Sequence, residues 1–175
     1  RTIVQSPLPV RSFEYPYFGD LWSADFLHGP MVRRGTCADK TYLNAIIDDA
    51  SRYVVAARFH RAEDTRSLLD DLMLAIRRFG IPKRLYTDNG AAFRSHHLRM
   101  VAARLCISLP HTPPYTPRGR GKIERFFRSV REQFLASLDL KHVFGMEDLN
   151  SRLDAWIQTA YHRSLHGGLD NTTPL

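Results

Sequence analysis

The sequence predicts an α/β domain with a central mixed sheet of five strands flanked by helices. Three observations predict it. Residues 21–59 hold three β-rich segments in a row, with turn chemistry between the second and third. Residues 63–109 alternate helix, strand, helix, strand, so two parallel strands join the three antiparallel ones. From residue 121 onward the pattern is helical, and its first segment is strongly amphipathic.

Each element follows from local chemistry. Residues 21–27 read as a short buried strand, with Asp25 among apolar neighbours. Residues 31–40 are basic, contain Gly35 and read as a turn or loop. Residues 41–47 and 52–59 are rich in β-branched and aromatic side chains, and Asp48-Asp49-Ala50-Ser51 between them makes a hairpin. Residues 63–79 form a helix, since Leu68, Leu69, Leu72, Ala75, Ile76 and Phe79 recur at helical spacing. Glu63 and Asp64 at its start and Arg77 and Arg78 at its end suit the helix dipole, and Gly80 and Pro82 stop it.

Residues 83–87 form a short strand that ends at Asp88-Asn89-Gly90. Ser95 caps a second helix, and residues 107–109 add one more strand. Residues 111–121 hold three prolines and two glycines and form a loop. A helix to residue 138 then buries Ile123, Phe126, Phe127, Val130, Phe134 and Leu138, and residues 146–162 form the last helix. Residues 1–20, with Pro7, Pro9 and Pro16, read as an arm or linker, which leaves 21–175 as one domain.

Composition narrows the function classes. At 175 residues, 43% hydrophobic and 25% charged, the chain is ordinary for a globular domain. No apolar run approaches the ~18 residues a membrane span needs, and no signal peptide is visible. Starting on Arg1, the chain reads as a piece of a longer protein. Cys37 and Cys106 lie 69 positions apart, which excludes a disulfide scaffold or a cysteine-rich zinc module and fits a reducing compartment.

The net charge is +7, and residues 118–132 supply +4 of it through Arg118, Arg120, Lys122, Arg125, Arg128 and Arg131 against Glu124 and Glu132. Such a patch favours a polyanion. Arginine's fork of donors matches phosphate, and Gly119 and Gly121 let backbone approach it closely.

Three acids stand where a surface charge is out of place. Asp25 lies inside an apolar strand, Asp88 at the carboxyl end of another, and Glu124 near the start of the basic helix. Isolated buried carboxylates are costly, so such groups are paired, hydrogen-bonded or bound to a cation. Each has an ordinary alternative: a satisfied edge residue for Asp25, a β-turn for Asp88-Asn89-Gly90, and helical pairing with Arg120 or Arg128 for Glu124. Their joint placement points instead to a hard divalent cation, Mg²⁺ or Mn²⁺.

Other motifs carry less. Asp48 and Asp49 read as hairpin-turn residues. His162 and His166 share helical spacing, but Gly167-Gly168 ends the helix, so packing or capping suits them better than a metal. Residues 119–122 lack phosphate-loop spacing, so no nucleotide cofactor is expected.

The ordered set Trp22-x-x-Asp25, Ile47-Asp48-Asp49-Ala50-Ser51-Arg52, Thr87-Asp88-Asn89-Gly90 with Phe93, Pro114-Tyr115-x-Pro117 and Gly121-Lys122-x-Glu124-Arg125 resembles the catalytic core of retroviral integrases and bacterial insertion-sequence transposases. The 35 residues between Asp88 and Glu124 match the spacing of that DDE family, and the close from Tyr161 to Leu169 followed by Thr173-Pro174 is similar to the end of bacterial transposase cores. The resemblance implies an RNase H-like fold over residues 21–175, with Asp25, Asp88 and Glu124 as the catalytic, metal-binding triad. It implies DNA contact through Arg128 and Arg131, and the basic patch adds Arg118, Arg120 and Lys122.

The reaction so implied is phosphoryl transfer on DNA: 3′-end cleavage of transposon DNA, then strand transfer into a target. Two divalent ions are expected when DNA is bound. The implied partners are transposon ends, target DNA and further copies of the same protein, in the bacterial cytoplasm at the nucleoid, with no membrane partner. Two alternatives are an RNase H-like nuclease that only hydrolyses, and a non-catalytic DNA-binding or assembly module.

Overall fold

The computed structural model describes residues 15–35, 37–88, 90–110 and 121–174. In chain order the elements are β1 (Trp22–His28), β2 (Val32–Arg34), β3 (Cys37–Asp39), β4 (Tyr42–Asp48), β5 (Val54–His60), α1 (Thr65–Phe79), β6 (Leu85–Thr87), α2 (His96–Arg104), α3 (Gly121–Ser129) and α4 (Met146–Thr159). The main sheet has the order β5-β4-β1-β6, antiparallel except for the parallel pair β1–β6.

Strand alternation divides the core into two clusters, one on each face of the sheet. Trp22, Ala24, Ile46 and Leu85 pack with Leu68, Leu72 and Ala75 of α1 and Leu98 and Ala102 of α2. Leu27, Leu43, Ala45 and Phe59 pack with Ile123, Phe126 and Phe127 of α3 and Leu149, Leu153 and Ile157 of α4.

Local chemistry sets the helix ends, though α1 starts at Thr65, which leaves Glu63 before the helix and makes Asp64 its cap rather than a first-turn acid. Asp64 caps α1 by accepting from Ser67 N at 2.8 Å, and that backbone bond leads the causes holding its carboxyl below the ordinary range. Gly80 ends α1 at φ +86°, and Ser95 Oγ caps α2 by accepting from Leu98 N at 3.1 Å. Residues 15–20, within the segment read as an arm, are tied to the domain: Gly19 N bonds Asp48 Oδ1 at 2.8 Å, and Lys83 pairs with Asp20 at 2.7 Å.

Four local expectations change. Among the described residues the main sheet has four strands, not five. Ser108 meets β6's approach only as a parallel bridge, through Leu85 N to Ser108 O at 2.9 Å and Ser108 N to Lys83 O at 3.0 Å. Cys106, turned at φ +56°, and Pro110, which has no N–H, leave little chain between them for a longer ladder. Residues 31–40 are not a plain loop: β2 and β3 form a hairpin of their own, and Gly35 at φ +62° permits its turn. The long amphipathic helix changes pitch, since α3 continues as a π-helical stretch over Val130–Leu135. There Phe134 reaches Trp156 at 5.7 Å and Phe59 at 6.4 Å between ring centroids. The last helix stops at Thr159, and Tyr161–Arg163 form a short 3₁₀ turn.

The free edge of β5 is closed by side chains. Asn150 on α4 accepts from Phe59 N at 2.7 Å and donates to Phe59 O at 3.1 Å, as a neighbouring strand would. Farther along the edge, Val54 N donates to His162 Nε2 at 3.0 Å. Asn150→Ala is expected to cost about 1–2 kcal/mol, because two backbone groups lose their partner. Urea unfolding of the two proteins measures it, and equal midpoints would show that water replaces the amide at no cost.

Candidate active-site face

Asp25 and Asp88 share one face because of the parallel register. Ala24 pairs with Thr87, so the next residue on each chain is Asp25 and Asp88. Parallel neighbours lie about 4.8 Å apart, and side chains at equal steps point the same way. Trp22, Ala24 and Leu85 fill the core under α1 and α2, so the two aspartates project to the opposite face, where α3 packs.

Both are half-buried. Asp25 Oδ1 accepts from Phe26 N at 2.8 Å, and Asp88 Oδ1 accepts from Gly90 N at 2.7 Å. Asp88 therefore builds its own turn as well as ending β6. A Cβ on residue 90 would stand 2.8 Å from Asp88 Oδ1, so a side chain there would displace the Asp88 carboxylate from this position.

Glu124 lies in the first turn of α3 and is exposed. Its helix is held to this face by Ile123, Phe126 and Phe127. Among the described residues no three His, Cys, Asp or Glu side chains stand close enough to hold a metal ion. The register brings Asp25 and Asp88 together, and packing brings α3 onto the same face of the sheet, but Glu124 does not join the two aspartates in one cluster. The oxygen donors of all three suit a hard divalent cation, and two adjacent carboxylates repel one another unless cationic charge offsets them.

The basic residues divide. Arg128 and Arg131 are exposed on the α3 helix and its continuation. Lys122 reaches inward: its Nζ lies 2.7 Å from Asp49 Oδ2 and 3.1 Å from Asp49 O. Arg118 and Arg120 lie outside the described residues, as does Asn89.

Asp48 ends β4 and Asp49 opens the turn to β5, close to the turn the sequence suggests, and both are also buried anchors. Asp48 is fully buried and accepts from Gly19 N, Ser51 N and Ser51 Oγ, each at 2.8 Å. Asp49 draws the start of α3 onto the same turn through Lys122.

Sequence reasoning misses three polar features. Arg52 is nearly buried and adopts φ +62°. His60 and Asn44 both contact the buried Asp71 Oδ2, at 2.7 and 2.8 Å. His162 is fully buried and stacks on Tyr53 with 3.9 Å between ring centroids. Only the Ser51-Arg52 pair after two acids and the Tyr161-His162 segment carried any signal.

Comparison with known proteins agrees with this frame. The family model described as "Integrase core domain" matches residues 18–117, and a second model of the same description matches residues 105–174. The transposase for transposon Tn552 of Staphylococcus aureus is 28% identical over 172 residues, covering 87% of this chain and 36% of that protein. The Pol polyprotein of radiation murine leukemia virus (strain Kaplan) is 34% identical over 116 residues, 65% of this chain and 19% of the polyprotein. The chain thus spans about a third of the transposase and a smaller share of the viral polyprotein.

Among solved structures, the simian T-cell lymphotropic virus intasome in complex with PP2A regulatory subunit B56 gamma superposes with a TM-score of 0.77. Identity is 21%, covering 97% of this chain and 58% of the other. The HTLV-2 integrase catalytic core domain in complex with magnesium, in its dimeric form, gives 0.70 at 17% identity, covering 94% of this chain and 97% of the other. These likenesses show the fold: it is of the RNase H-like α/β class expected from the sequence. Among the described residues no helix is long and apolar enough to cross a membrane.

Proposed function

The chain belongs to the integrase core domain family, and we propose that it performs divalent-metal-dependent polynucleotidyl transfer on DNA, as the core of a transposase. One observation carries the reading: the β1–β6 register sets Asp25 beside Asp88 on the face that α3 covers.

Asp25, Asp88 and Glu124 are the residues proposed to hold the metal. A bound divalent ion supplies Lewis-acid chemistry at phosphate oxygens. Asp25 is fixed by the strand and Asp88 by its own turn, so neither needs large rearrangement to present an oxygen. Glu124 is exposed on the first turn of α3, where a side-chain rotation changes its reach. The Asp49–Lys122 pair holds the amino end of α3 to the sheet and thereby sets where Glu124 starts. The reaction proposed is cleavage that frees a 3′-hydroxyl at a transposon end, followed by joining of that hydroxyl to a target phosphodiester.

Arg118, Arg120, Arg128 and Arg131 are proposed to touch the DNA backbone. Lys122 is proposed to act through its anchor to Asp49. The work so described belongs at the bacterial nucleoid, on paired DNA ends held by more than one copy of the protein.

The test is incubation of the chain with labelled duplex ends and a target duplex, in Mg²⁺ or Mn²⁺. Nicking together with joined product supports strand transfer, and nicking alone supports a hydrolytic nuclease. Neither product from a folded chain in either metal overturns the reading. Binding measured against salt adds a second check. Arg128→Ala and Arg131→Ala are each expected to lower the slope of log K on log salt by about one. Unchanged slopes would remove these two arginines from the contact surface.

A further inference from the structure

A cavity of about 230 Å³ opens beside α3, away from the aspartates' strand ends, and is lined by Arg52, Lys122, Arg125, Tyr161, His166 and Gly168. Its walls come from four places in the chain: the β4–β5 turn, the start of α3, the 3₁₀ turn after α4, and the segment at residues 166–168. Among the described residues its lining carries three cationic side chains, of which Lys122 is already paired with Asp49, and no acidic one.

The arginines are placed by structure, not by surface chance. Arg52 is nearly buried, and the Asp48–Ser51 bonds hold the turn that presents it at φ +62°. That left-handed conformation is uncommon for a residue with a long side chain. Its Nη2 lies 3.4 Å from Gly168 O. A Cβ on Gly168 would stand 3.6 Å from Arg52 Nη2 and 3.6 Å from Arg125 Nη1, so both guanidinium groups converge on one glycine. The Tyr161 hydroxyl is in the same field. Burial pushes its pKa up to about 12, against the opposing pull of Arg52 and Arg125.

We propose that this cavity seats a phosphate group, held by the Arg52 and Arg125 guanidinium groups with His166 on its rim. Convergent guanidinium groups match phosphate geometry, and their mutual repulsion falls when an anion lies between them. The source we assign is a DNA backbone phosphate, a clause that rests on the proposed function. The strands make this feasible. Asp48 ends β4 opposite Trp22, and Asp25 follows three residues along β1, roughly 10 Å farther, on the face where α3 packs.

Two probes and two variants test it. Arg125→Gln removes one exposed cation without disturbing the core. Gly168→Leu fills the space between the arginines, and thermal melting establishes that each variant is folded. Inorganic phosphate is titrated while His166 and Tyr161 are followed by NMR, and a duplex of unrelated sequence is titrated at several salt concentrations. The expected result is a phosphate-dependent shift at both residues in the parent, lost in both variants. Duplex affinity should fall about tenfold in each, and the salt slope should fall by about one in Arg125→Gln.

Phosphate shifts with unchanged duplex binding in the variants would keep the seat but assign it to a free phosphate compound. A parent that responds to phosphate yet binds no duplex would overturn the DNA reading and leave the seat standing. No phosphate response in the parent, with variants that bind duplex as the parent does, would overturn the seat itself.

Discussion

Asp88→Asn is expected to lower the proposed metal-dependent cleavage and joining by on the order of 10³-fold or more, while duplex binding and thermal stability stay close to the parent's. The structure explains why these effects separate. Asn keeps an Oδ1 that can accept from Gly90 N, now 2.7 Å from Asp88, so the turn after β6 survives. What disappears is the negative charge beside Asp25, and with it a strong donor to a hard cation. The measurement is product formation from labelled duplex in Mg²⁺ and Mn²⁺, with melting curves on the same samples. A variant that cuts and joins as the parent does would remove Asp88 from the site. The paired Asp25→Asn variant should behave alike, since the two carboxylates share one place on the sheet.

The second large effect is on stability against pH. His162 is fully buried, accepts from Val54 N at 3.0 Å and lies stacked on Tyr53. Burial first, then the charges of His166 and Arg78, lowers its pKa from 6.5 to about 4. The folded state therefore keeps the ring neutral where the unfolded chain protonates it. Above pH 6.5 the full stability is present, and it is lost as pH falls through 6.5 toward 4, because the unfolded state then binds the extra proton. Integrated over that window, the loss is roughly 3 kcal/mol.

The lowered carboxylates Asp20, Asp64, Asp139 and Asp148 act in a different window. Their folded pKa values lie below 3.8, so their contribution persists through this range and is lost only in stronger acid. Urea unfolding from pH 7.5 to 4 checks the effect. His162→Gln, whose amide oxygen can accept from Val54 N, should flatten the acid limb. An equally steep limb in that variant would place the titration elsewhere.

Much of the fold is visible in short stretches of sequence. The Leu68–Phe79 spacing, the Ser95 cap, the stop at Gly80 and the turn at Asp48–Ser51 all depend on residues within a few positions of one another. Backbone dihedral preferences and local hydrogen bonds settle such features before distant chain arrives. The ordered motifs around Asp25, Asp88 and Glu124 were likewise readable, because a family resemblance is a property of the linear chain.

Only the folded molecule decided what those residues do to one another. Whether Asp88 stands beside Asp25 is a question of strand register, and register follows from packing on both faces of the sheet. The fifth strand shrank to one bridge because Pro110 and the turn at Cys106 left it no ladder to join. Lys122, one of several cations in a basic run, turned inward to Asp49, and Arg52 met Arg125 across more than seventy positions of chain at Gly168. Charge can be counted in a sequence. Which charges share a cavity depends on contacts between segments far apart in the chain, and those form only when the core closes.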